Sequence, residues 1–386
     1  MKRRFTSILA LLTLVGGRVI GGPSEDALRV GIEAFDKKDY TSALTTWLNA
    51  YNERATANTA NDETCAQLLD RACNLLSLIP GNSKQAAAAM EKLLALRETL
   101  SGKEHTDTLT VKSKLSVQLA NSGGDLERAQ VLAQEAATGF EKAGPDFFYQ
   151  HLQALVNVGG ILLLKKDRLA ANEVFSAVTT LGTDSPKKVM DLVSSAYSSM
   201  AEIALFFGRS ADRIRYKKKS AEAMIAHSGA NSPAAYAARI EVAEVMTASG
   251  DGKAARAAYE DILVDLGRAN VGEDKILQQR WVLALYRLSS LETTLGDEGR
   301  AYGLLRSALE HGRIGFGDLD FNMLPIYLDL AKMHLKRGLH SEGVKCYQRV
   351  LDIRRRELGP DDPSTQETQK ILNELYDEVR KAEAKK

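Results

Sequence analysis

Little in this sequence can staple, kink or catalyse. Three cysteines among 386 residues exclude a disulfide-framed fold. Cys65 and Cys73 sit eight apart in one helix-patterned stretch, about 12 Å along its axis and out of bridging range. With Cys346 they read as small buried residues, an intermolecular bridge being the alternative. The balance of 51 basic against 50 acidic side chains, a net charge of +1, is not the footprint of a nucleic-acid binder. Only eight prolines occur, and all avoid the helix-patterned interiors that proline would break. Ser185-Pro186 and Ser232-Pro233 read as a capping serine followed by a first-turn proline. Alternating strand patterns are missing. Past residue 17 no second apolar run of 18 or more residues is evident, so no membrane span is expected in the mature chain.

The usual marks of chemistry are missing too. His105, His151, His227, His311, His334 and His340 form no HExxH spacing, and there is no CxxC pair and no phosphate loop. Asp318 to Asn322 opens like a calcium loop, but Met323 stands where that loop needs glycine and Asp329 where it needs glutamate. Asn322 is expected to cap a helix instead. No catalytic residue, metal site or cofactor is expected.

What the sequence does have is a period. Leu324 to Pro363 holds two helical patterns around a turn at Gly338. Tyr327, Leu330, Ala331, His334 and Leu335 share one face before the turn, and Val344, Tyr347, Val350 and Leu351 share one after it. The same turn recurs at Lys38, Gly81, Gly124, Lys166, Gly208, Gly250 and Gly296, spaced 42 or 43 residues apart except for 46 between the last two of these. Five residues after it comes a small residue (Ala43, Ala86, Ala129, Ala171, Ala255, Ala301), and four further on a bulky one (Trp47, Met90, Phe175, Tyr259, Leu305, Tyr347). Small residues let two helices approach, and the large one fills the space beside them. A helix hairpin cannot bury its apolar face alone, so a fixed period predicts an all-α solenoid of about eight hairpins over residues 23–363. Residues 364–386 read as one more amphipathic helix, with Ile371, Leu372, Leu375 and Val379 on one side capping the last hairpin, and then a polar tail. The stretched sixth interval is expected to be loop between Leu266 and Lys275.

The unit resembles a tetratricopeptide repeat. Tyr40-Thr41-Ser42-Ala43 with Trp47 and Ala50 is similar to that family's second half-motif. A period near 42, with turns such as Leu358-Gly359-Pro360-Asp361-Asp362-Pro363, resembles the longer repeats of kinesin light chains. The resemblance implies a right-handed superhelix whose first helices line a concave groove for peptides or protein segments, and no catalytic activity. Family members that clamp a carboxylate tail use lysines, arginines and asparagines on the first helices of adjacent units. Candidates here are Lys114, Gln118 and Asn121 in the third unit and Gln153 and Asn157 in the fourth. Asn157 matches the asparagine that kinesin-light-chain-like repeats use against a peptide backbone. Other units place Arg29, Ser199, Glu241, Arg287 and Asp329 there, so an asparagine ladder is not maintained. Ordinary solvated polar residues are the alternative reading of this patch.

The fifth unit breaks the pattern. Arg213 replaces the small residue and Lys217 the bulky one, and with Arg209, Arg215, Lys218 and Lys219 they put six cations in eleven positions. This is either a docking surface for an acidic segment or a solvated helix whose long stems cover the core. At the other end, Met1-Lys2-Arg3-Arg4 followed by the apolar run Phe5 to Gly17, with cleavage points at Gly17, Gly21 and Gly22, reads as a signal peptide over residues 1–22. Export to the periplasm or outside the cell is then expected, an uncleaved anchor being the alternative. The function expected from all of this is a non-enzymatic scaffold that binds a protein or extended peptide. A self-assembling solenoid and a substrate-holding module of an enzyme are the other readings.

Overall fold

The computed structural model describes residues 23–183, 185, 187–269 and 271–383. The expected signal peptide, Pro186 and the end of the polar tail lie outside the described residues, which hold helices and turns and no strand. The chain divides at Asp167/Arg168 into two units. The first contains α1 (Pro23–Asp36), α2 (Tyr40–Thr56), α3 (Glu63–Leu78), α4 (Ser83–Ser101), α5 (Thr106–Asn121), α6 (Leu126–Ala143) and α7 (Phe148–Leu164). The second contains α8 (Arg168–Gly182), α9 (Met190–Phe206), α10 (Ser210–Ser228), α11 (Pro233–Ala248), α12 (Gly252–Arg268), α13 (Lys275–Thr294), α14 (Glu298–Gly315), α15 (Leu324–Lys336), α16 (His340–Glu357) and α17 (Pro363–Glu383). Each unit is a stack of helix hairpins, so the fold is all-α and of the solenoid kind.

The hairpin turn has a local cause. The first helix ends in a residue with left-handed backbone, at φ +63° in Lys38, +65° in Lys166 and +73° in Gly338, and such a residue stops an α-helix. An aspartate often follows and caps the second helix. Asp39, Asp251 and Asp297 accept from the backbone N–H of Ser42, Ala254 and Arg300 at 2.9–3.1 Å, satisfying donors that the helix start leaves open. In the third hairpin the left-handed residue is Gly123, not the expected Gly124, and Asp125 caps from one residue later. A second series of left-handed glycines closes the second helices, among them Gly102, Gly144, Gly229, Gly317 and Gly359.

The small and bulky positions do in the fold what their period predicted. Ala43, Ala86, Ala129, Ala171, Ala255 and Ala301 have no exposed surface, and Trp47, Met90, Phe175, Tyr259, Leu305 and Tyr347 are buried beside them. In the first hairpin Gly31 is what admits the indole: a Cβ there would lie 2.0 Å from Trp47 Nε1. Capping by α17 also holds, with Leu372 and Leu375 buried and Ile371 and Val379 packed on the same cluster.

Four further expectations need correction. The slack of the stretched interval sits mainly in α13, 20 residues long against 16 in α11; added turns of a first helix cost less than an ordered long loop. Asn322 is not the cap: Asp320 is, accepting from the Asn322 N–H at 3.0 Å. Pro145–Leu164 proves long and apolar enough to cross a membrane by length and composition. In the fold it carries α7, whose Leu152, Val158, Ile161 and Leu162 are buried, because a repeat helix packed on several sides needs few polar positions. Fourth, the cations of the fifth unit do not form one surface, as described below.

The three cysteines are free and buried. Burial pushes the Cys65 and Cys346 thiols up to about 11 and Cys73 to about 12.

Candidate functional site

Counting back from the left-handed turn residue aligns the first helices. Asn157 lies nine residues before Lys166, and with the turn at Gly123 the residue nine before it is Lys114. Arg29 stands nine before Lys38. In the second hairpin the glycine comes one residue later after the helix end, because α3 stops at Leu78 and Ile79 is extended, so the equivalent position is Arg71. The first unit therefore presents Arg29, Arg71, Lys114 and Asn157 at one register of four successive first helices. Sequence reasoning missed Arg71, since the shifted turn hid it; counting from the helix end would have found it.

Two of these residues, Lys114 and Asn157, are tied to neighbouring helices. Lys114 Nζ donates to Asn74 Oδ1 of α3 at 2.8 Å and lies 3.5 Å from Asp70. Asn74 in turn donates to Asp70 at 3.0 Å. Asn157 Nδ2 donates to Ser113 Oγ of α5 at 3.0 Å, while Gln153 Nε2 donates to Asn157 Oδ1 at 3.2 Å. The amide of Asn157 is thereby held in one orientation by neighbours on both sides. Arg71 is half-buried. Among the expected residues Gln118 is buried and Asn121 is exposed, and neither joins this network. Lys112, two residues before Lys114, turns the opposite way, nearly buried and paired with Glu135 at 2.7 Å, as the helical angle between i and i+2 requires. The same register in the second unit reads Ser199, Glu241, Arg287 and Asp329. Glu241 is taken by Lys217 at 3.1 Å, Arg287 by Glu244 at 2.6 Å and Asp329 by the Tyr286 hydroxyl at 3.2 Å.

The basic stretch of α10 splits. Arg213 and Lys217 share a face, as expected, but that face points inward. Lys217 is buried where other hairpins hold Trp, Phe or Tyr, and its Nζ donates to Ser198 Oγ at 2.7 Å and Glu241 at 3.1 Å, with Glu202 3.8 Å away. Arg213 is half-buried beside it. A cation in a core slot must be paired to be tolerated, and the repeat supplies the acids. Arg209, Arg215, Lys218 and Lys219 remain exposed. Of these Arg215 is paired with Asp212 at 2.9 Å, Arg209 lies over Phe207 and Lys219 over Tyr197.

Residues 326–364, which span the α15/α16 hairpin, match the family model described as a tetratricopeptide repeat. The chain carries tetratricopeptide repeats. They resemble those of kinesin light chains, and the matched repeat is the unit in which the period was first legible. No curated protein matches the sequence. Similar solved structures include the apo form of the quorum sensor NprR from B. thuringiensis, with 12% identity over 86% of this chain and 87% of that one and a TM-score of 0.48. They also include nearly identical TPR-like repeats assigned to a kinesin light chain of Podosopora anserina, with 10% identity over 54% and 99% and a TM-score of 0.45. A third is BtubC (BKLC) from P. vanneervenii, with 15% identity over 63% and 90% and a TM-score of 0.42.

Proposed function

We propose that this tetratricopeptide-repeat chain is a non-enzymatic scaffold whose first unit binds an extended peptide segment of a protein partner. The observation that carries the reading is the row Arg71, Lys114 and Asn157. One polar side chain per first helix, at one register, offers a donor at each step along an extended backbone, and the hydrogen bonds that fix Lys114 and Asn157 lower the ordering cost of binding. The non-enzymatic part of the reading is supported by the thiols, the best nucleophile candidates of the chain, whose burial keeps them protonated at neutral pH. Selection of a random peptide-display library on the purified chain tests the proposal. Enriched peptides are expected to lose about tenfold in affinity, by fluorescence anisotropy, in each of Lys114→Ala and Asn157→Ala. Enriched peptides indifferent to both substitutions, or no enrichment, would sink it.

Export belongs to the same reading and rests on the basic start and the apolar run Phe5 to Gly17. The intact mass of the native protein is expected to correspond to a chain lacking the residues up to one of Gly17, Gly21 or Gly22. An intact mass that retains the whole run would exclude a cleaved signal.

A further inference from the structure

The second unit holds a groove on a face that the first-helix register does not use. Its walls are α14 and α16, its floor is α15, and α17 closes one end; the cavity measures about 910 Å³. Asp329 of α15 turns instead toward Tyr286 of α13.

The groove is cationic. Five cations line it against the two carboxylates Glu342 and Asp352. Three of the five already face acids: Arg313 meets Asp318 at 2.8 Å, Lys345 meets Glu342 at 2.8 Å, and Arg349 lies 3.8 Å from both Asp318 and Asp352. The remaining two do not. Arg306 has no ion-pair partner among the described residues, and Arg355 donates only to the neutral Gln369, at 2.6 Å. Both are exposed. The floor holds His334, 8% exposed, with its ring edge-on to Tyr302 at 5.4 Å and its Nδ1 without a hydrogen-bond partner. Burial first, and the charges of Arg337 and Arg306 with it, hold this imidazole below the ordinary histidine value, so it adds a polar atom without adding a sixth charge. Leu372 and Tyr376 of α17 supply an apolar end.

Dimensions decide between a small anion and a chain. From Glu342 to Arg355 the wall of α16 runs about 20 Å, the length of about six extended residues. Arg306 of α14 and Arg355 of α16 come from the two opposite walls, so a chain lying along the groove can meet both. We propose that this groove is a second docking site, separate from the first-helix row, which takes an extended acidic peptide segment of a partner protein. Its carboxylates meet Arg306 and Arg355, and its apolar side chain packs on the half-buried ring of Tyr376.

The test uses the full chain and two labelled hexapeptides, Glu-Leu-Asp-Tyr-Glu-Leu and its counterpart with lysine at each acidic position, read by fluorescence anisotropy at low salt. The acidic peptide is expected to bind and the lysine peptide is not. Reversing two exposed charges turns two attractions into repulsions, so Arg306→Glu combined with Arg355→Glu is expected to weaken binding about thirtyfold or more. Tyr376→Ala is expected to weaken it further, and Lys114→Ala with Asn157→Ala to change it less than twofold. That last pair keeps this proposal separable from the first-helix reading. Loss below tenfold in the Arg306/Arg355 variant overturns the proposal, as does equal binding of the lysine peptide, absence of binding, or loss in the Lys114/Asn157 variant instead. Competition by free citrate at the same concentration as the unlabelled peptide also overturns it, in favour of a small-anion site. Both arginines are exposed, so an unchanged circular-dichroism melt is expected to accompany the affinity loss.

Discussion

Glu292→Ala is expected to destabilise the second unit by about 3 kcal/mol in denaturant unfolding. Glu292 is the fully buried carboxylate of α13, and three helices of two successive repeats meet on it. Arg256 of α12 reaches it directly, and Arg300 of α14 lies 3.2 Å from its Oε1 while also pairing with Glu260 of α12. Removing the carboxylate leaves two guanidiniums facing a site built for an anion. Each is about one-third exposed, so water relieves part of the penalty, and the figure belongs at the low end of what broken buried pairs cost. The cost comes from the unpaired partners rather than from the strength of the pair. Combining Arg256→Met with Glu292→Met should therefore recover more than half of the loss seen in Glu292→Met alone. A loss under 1 kcal/mol in Glu292→Ala, or no recovery in the double variant, would show that the triad does not clamp these hairpins.

Trp47→Ala is expected to cost about 3–5 kcal/mol, but the loss should be local. The indole is 2% exposed and fills the space that Gly31 leaves open, and it shares its cluster with Leu68, Ala72 and Leu75 of α3. Its Nε1 donates to the Leu28 carbonyl at 3.5 Å. In a stack each hairpin is stabilised by itself and by its immediate neighbours, and within the described residues this hairpin has a neighbour on one side. Hydrogen exchange is expected to speed up throughout residues 23–56 while α5 keeps its protection. Protection retained in α1, or lost equally in α5, would contradict a hairpin-by-hairpin stack. The contrast with Glu292, an interior clamp between two neighbouring repeats, is what a one-dimensional array predicts.

Much of the repeat was legible because its determinants are local. Left-handed turn residues, capping aspartates and the alanine–bulky pairs are set by backbone sterics and by the spacing of small and large side chains, and all recur at a readable period. Legibility failed where one residue changed the register. Two adjacent glycines hid that Gly123 makes the third turn, and one extra residue before Gly81 hid Arg71. The identity of Lys114 as the counterpart of Asn157 followed only once those turns had backbone angles. The charges of α10 were misread for a different reason. A run of cations looks solvated in one dimension, whereas Lys217 lies in a core slot whose acids, Glu202 and Glu241, come from other helices.

By itself the sequence determined that this chain is a row of helix hairpins, where each turn falls within a residue or two, and which small and bulky residues fill each hairpin, since those features need only neighbours along the chain. The tertiary structure alone decided which polar residues meet. The Asn157–Ser113 and Lys114–Asn74 bonds, the Arg256–Glu292–Arg300 triad and the groove over His334 each join residues at least one helix apart, and charge pairing depends on distances that no local pattern encodes.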